Sequence, residues 1–128
     1  MKNNGLKNRF SQKVRYQWLY WYDCIYCGKN KWDCLHHLIS GSLPHIYKEG
    51  KFNESVLNSC PIHNFGCHLY NHDLHEEEKL KELLLKVFYA LKSMNYQLKE
   101  IDYEFIRQYK TLYPENLERR SDVPTDKF

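Results

Sequence analysis

No run of uncharged apolar residues in this 128-residue chain is long enough to span a bilayer, and a mean hydropathy of -0.76 points the same way. A spanning helix is excluded. The first residues, MKNNGLKNRFSQK, carry charge but lack an apolar h-region, so no secretory leader is expected. An intracellular chain keeps its thiols reduced, which makes a disulfide framework the wrong reading of the cysteines. Their count of five, an odd number beside seven histidines, favours metal or catalytic groups instead. No internal repeat or low-complexity tract is found. The length suits one domain, and 42% hydrophobic with 27% charged residues argues against disorder throughout.

Acidic residues are missing before Asp23, whereas Lys2, Lys7, Arg9, Lys13 and Arg15 all precede it. The same stretch holds Phe10, Tyr16, Trp18, Tyr20, Trp21 and Tyr22. Cations neutralise phosphates and aromatic faces stack on exposed bases, so the segment suits a nucleic acid. The plainer alternative is a solvated arm whose aromatics pack on the domain.

Four zones follow. Residues 1–22 form the basic aromatic segment, in which QKVRYQWLYWY is a short helix or an extended run. Residues 23–75 hold all five cysteines and are rich in turn formers, a composition that metal nucleation would explain. Residues 76–114 are helical. Leu80, Leu84, Val87, Phe88 and Leu91 form a 3.6-period stripe, with Glu76, Glu77 and Glu78 at one end and Lys86 and Lys92 at the other. Asp73 is a candidate N-cap, although that helix could begin near Cys67. A second helix is predicted from Asp102 as cap, with Phe105, Ile106, Tyr109 and Leu112 on one face and Pro114 ending it. Residues 115–128 read as a polar tail.

Cys24-Ile-Tyr-Cys27-Gly is a zinc knuckle: two thiolates two residues apart, then a glycine that permits the tight turn. A redox pair would want a helix directly after it, and GKNKWD does not start one. Two further ligands are needed downstream. Cys67 is the first choice for one. His63 and Cys60 compete for the other, with His63 preferred because His63-x3-Cys67 makes a second compact clip after Pro61. Cys60 and Cys34 are otherwise small buried thiols.

His36 and His37 are adjacent, and His68-x3-His72 follows some thirty residues later. On a helix the latter pair shares a face; on a strand the former pair points to opposite faces. Locally irregular backbone could let His36 and His37 serve one site, one as ligand and one as base.

The order Cys24-x2-Cys27, Asp33-Cys-Leu-His36-His37, Asn58, Cys67-His68-x3-His72 resembles the HNH nuclease family over about residues 24–72. The resemblance implies an α+β protein: a small ββα-metal core with a structural zinc knuckle, followed here by two C-terminal helices. It implies that His37 is the general base, that Asn58 orients it, and that His36, His68 and His72 hold a catalytic divalent ion. The structural zinc would sit on Cys24, Cys27, His63 and Cys67. Two departures stand out: the second clip is one residue longer than the family's usual Cys-x2-Cys, and Asn58 to His68 grows by the same residue.

The function so implied is metal-dependent hydrolysis of DNA phosphodiester bonds, with RNA as a further possible substrate. Lys7, Arg9, Lys13, Arg15, Lys29 and Lys31 are the candidate backbone contacts. The resemblance implies Mg2+ at the catalytic site, whereas ligand softness favours Mn2+, Ni2+ or Zn2+. A stand-alone protein of this size resembles phage examples, acting in a host cytoplasm. The alternative is a non-catalytic zinc-binding nucleic-acid module. A third reading is an adaptor whose helices offer a partner surface.

Overall fold

The computed structural model describes residues 10–39, 51–68, 76–115 and 117. Within them the protein is a mixed α+β structure of one two-stranded antiparallel sheet and three α-helices.

Helix α1 (Gln12–Gln17) starts where the Ser11 hydroxyl accepts from Val14 N. Its Val14 is buried, together with Phe10 before it and Trp18 after it. Two turns of i, i+4 spacing therefore seat residues 10–18 on the core, as the plainer reading of the aromatics expects for Phe10 and Trp18. Trp18 is fully buried and donates Nε1–H to Ser59 Oγ at 2.6 Å, which satisfies the one polar atom of its ring.

Strand β1 (Cys34–His37) pairs with β2 (Ser59–Ile62) in the register Cys34 to Ile62, Leu35 to Pro61, His36 to Cys60 and His37 to Ser59. Pro61 lacks an N–H, so it belongs on an edge or beside a docking loop. Its carbonyl accepts from Ile25 N at 2.8 Å, which lays the knuckle along β2. Beyond β1, Asn58 O accepts from Leu38 N, while Asn58 Oδ1 and Nδ2 bond the N–H and C=O of Ile39. Asn58 thus prolongs the pairing where the strands end.

Helix α2 (Glu77–Ser93) buries Leu80, Leu83, Leu84, Val87, Phe88, Ala90 and Leu91 against β2 and the 3-10 turn Val56–Asn58. The expected stripe is the core face, with Glu76 at the N-cap; the candidate cap Asp73 lies outside the described residues. Helix α3 (Glu100–Gln108) has Lys99 at its N-cap, three residues before the expected cap. Asp102 is not its cap but its third residue, accepting from Lys99 N at 2.9 Å. The carboxylate also accepts from Ser55 Oγ at 2.7 Å and from the Tyr96 hydroxyl. A capping residue would be partly solvated, whereas Asp102 is fully buried as a three-bond hub. No helix among the described residues is long and apolar enough to cross a membrane.

Candidate metal centre and histidine strand

The Cys24–Cys27 turn is built by local geometry. Cys27 N donates to Cys24 Sγ at 3.4 Å and Gly28 N to Cys24 O at 2.7 Å. Gly28 then takes φ +75°, a left-handed conformation that costs a side-chain-bearing residue strain but not glycine. The second clip lies in the turn Asn64–His68, where Gly66 at φ +91° brings Cys67 back towards His63. Asp33 fixes the entry to this turn by accepting from Asn64 N at 2.7 Å.

Four donor atoms converge: Cys24 Sγ, Cys27 Sγ, Cys67 Sγ and a ring nitrogen of His63 all lie within 4.8 Å of one another. Cys24 Sγ to Cys67 Sγ is 3.7 Å, and His63 Nδ1 is 3.6 Å from both Cys27 Sγ and Cys67 Sγ. With Zn–S near 2.3 Å and Zn–N near 2.0–2.1 Å, a tetrahedron has S···S edges of about 3.8 Å and S···N edges of about 3.6 Å. The donor set therefore fits a tetrahedral Cys3His zinc site. All five cysteines are free thiols.

Burial raises the Cys27 thiol, but hydrogen bonds from the Lys29 backbone and from Cys24 and Cys67 outweigh it and hold Cys27 below its ordinary value. Burial, then the neighbouring Cys24 and Cys27 sulfurs, push Cys67 up to about 12. Several thiolates cannot crowd together unaided; a divalent ion reverses that penalty. Cys60 is placed elsewhere. It is fully buried on β2 opposite His36, and burial pushes its thiol well above the usual range, as befits a small apolar core residue. Cys34 is half-buried and raised to about 11 by burial and then by Asp33.

His36 and His37 lie on a regular strand, so their side chains take opposite faces. His36 is buried on the face shared with Cys60, and His37 lies on the face shared with Ser59. His37 Nε2 and Asn53 Oδ1 are 2.7 Å apart. Phe10 stacks flat on the His37 ring at 3.9 Å and 16°. Burial lowers the His37 pKa, and the Asn53 bond raises it by less.

The residue expected to orient His37 was Asn58, but its amide is committed to Ile39 and the bond to the imidazole comes from Asn53. Asn53 is in turn tied to α1, since its carbonyl accepts from Ser11 N at 3.1 Å. Spacing could not single out Asn53. It depends on how the 3-10 turn Lys51–Glu54 folds back over β1. Of the expected catalytic-ion ligands, His68 ends the Asn64–His68 turn, and its side chain and His72 lie outside the described residues. Among the candidate phosphate contacts, Lys13, Arg15, Lys29 and Lys31 are exposed, while Lys7 and Arg9 lie outside the described residues.

Comparison with family models, with curated proteins and with solved structures returned no match.

Proposed function

We propose that this protein is a metal-dependent endonuclease of HNH type, hydrolysing phosphodiester bonds of DNA, with a structural zinc on Cys24, Cys27, His63 and Cys67. The observation that carries the reading is the setting of His37. Taking Asn53 Oδ1 as acceptor, Nε2 carries the ring proton and the lone pair lies at Nδ1. Burial keeps the imidazole neutral, the form a general base requires. With that assignment, Phe10 stacking holds its plane and the Asn53 bond favours this tautomer.

In this reading His37 takes the proton of the attacking water, and Asn53 holds the ring as charge develops on it. A divalent ion on His36, with His68 and His72 as further ligands, would supply Lewis-acid stabilisation of the phosphate and the leaving oxygen. The zinc serves position only. It ties the knuckle to the turn after β2, which pins the strand pair bearing His37.

The test is nicking of supercoiled plasmid by zinc-loaded protein with Mg2+, Mn2+ or Ni2+ added. The expected result is ion-dependent nicking that falls by about 10²–10⁴-fold in His37→Ala, the usual worth of a general base. The opposite faces taken by His36 and His37 favour a second reading, a zinc-binding nucleic-acid module without catalysis. That reading expects no cutting with any ion and unchanged DNA binding in His37→Ala.

A further inference from the structure

Among the described residues, the exposed large apolar side chains are Tyr16, Leu19, Tyr20 and Tyr22, all from one seven-residue stretch. Tyr20 is 93% exposed and buries almost nothing. Isolated exposed apolar residues need no explanation, but a cluster on one surface does.

These rings stand on a braced frame. Leu19 N and Trp21 N donate back to Tyr16 O and Trp18 O, which closes two tight turns. Trp21 O accepts from Trp32 Nε1 at 2.8 Å and from Lys31 Nζ at 3.0 Å, and Trp32 N donates to Tyr22 O. The two arms of the knuckle are thereby stitched together at residues 21–22 and 31–32. Lys31 Nζ lies 5.8 Å from the Tyr22 ring centroid and 4.8 Å from that of Trp32. Exposed Lys13, Arg15 and Lys29 add cations, against exposed Asp23 and Asp33, of which Asp33 is engaged by Asn64 N.

The surface runs into a cleft of about 390 Å³ lined by Phe10, Arg15, Leu19, Trp32, Leu35 and His37. Leu19 and Trp32 thus belong both to the aromatic stretch and to the wall that carries His37, with Arg15 beside them. A braced backbone limits the entropy lost on binding, and nearby cations pair with a phosphate backbone; together with exposed rings they match a strand whose bases are unstacked from a partner. A duplex hides its base faces and gains only the cations.

We infer that residues 16–22, with Lys31 and Trp32, form a stacking surface for single-stranded nucleic acid that leads an unpaired strand into the His37 cleft. Binding by this surface stands independently of catalysis. Delivery of the strand to His37 rests on the nuclease reading.

The experiment is fluorescence anisotropy of labelled oligo(dT), oligo(rU) and a DNA duplex of equal length, with zinc-loaded protein and no other divalent ion. Both single strands are expected to bind at least about 10-fold tighter than the duplex, and the difference between the two reports a preference for DNA or RNA. Tyr20→Ala and Tyr22→Ala are each expected to weaken single-strand binding by about 5- to 150-fold without changing its salt slope. Lys31→Ala is expected to lower that slope by about 0.7. Tyr20 is so exposed that its replacement leaves the fold intact. Equal affinity for duplex and single strand, or tyrosine variants that bind like wild type, would overturn the inference, as would no oligonucleotide binding at moderate salt. Single-strand preference with no cleavage by any ion would sink the nuclease reading and leave the surface standing; cleavage without the preference would do the reverse.

Discussion

At the scale of single residues, the arrangement around His37 makes a claim about pH. Its pKa lies below the ordinary 6.5, so a nuclease using it as base keeps activity further into acid than an unburied histidine would allow. Asn53→Ala removes a bond that favours the protonated ring, so the acid limb of the kcat profile should move to lower pH. Loss of orientation should lower the plateau by about 10-fold or more. A limb that moved upward would contradict this placement. The same group bears on stability. A histidine depressed in the folded state gives stability that is full above the unfolded pKa and is lost as pH falls towards the folded value. The wild type should therefore lose more stability than His37→Gln between neutral pH and about pH 5.5 in urea titrations. Asp102 is the other decisive residue. With its carboxylate fully buried on Ser55, Tyr96 and the Lys99 amide, Asp102→Ala strands three donors and should cost about 3–5 kcal/mol of unfolding free energy.

At the scale of elements, periodic signals were legible and folded-back turns were not. The α2 stripe was visible because core contact repeats with the helix itself, and Leu84→Ala there should cost about 2–5 kcal/mol in the same titrations. The knuckle was visible for a similar reason, since sulfur spacing within one turn is a local property. What failed was placement by long-range pairing. Asp102 looked like a cap because a cap and a third helical residue share the same short carboxylate; only Ser55 and Tyr96, brought from elsewhere, decide between them. Asn58 looked like the partner of His37, but register sets it beyond the strand end against Ile39, and a turn five residues earlier delivers Asn53. In the N-terminal segment, alternation of roles was hidden in a uniform aromatic run. Phe10 and Trp18 face inward, while Tyr16, Tyr20 and Tyr22 face out.

For the whole molecule, the four-donor cluster is the link between distant parts. Cys24 and Cys27 precede the sheet and His63 and Cys67 follow it, so one ion held there would close a loop of about forty residues over both strands. Pro61 O to Ile25 N is the main-chain bond that the closure protects. Helices α2 and α3 have their own apolar contacts, so removing the ion should loosen the knuckle and the sheet first. Chelation is expected to lower the midpoint of thermal unfolding by at least about 10 °C, restored by added Zn2+. The most direct measurement is the metal content of purified protein by native mass spectrometry, for wild type, Cys27→Ser, His63→Ala and Cys60→Ala. One zinc per chain in wild type and Cys60→Ala, with loss in Cys27→Ser and His63→Ala, is the predicted result. Zinc retained in His63→Ala but lost in Cys60→Ala, or no zinc in any of them, would contradict the metal centre on which the strand pair and its histidines depend.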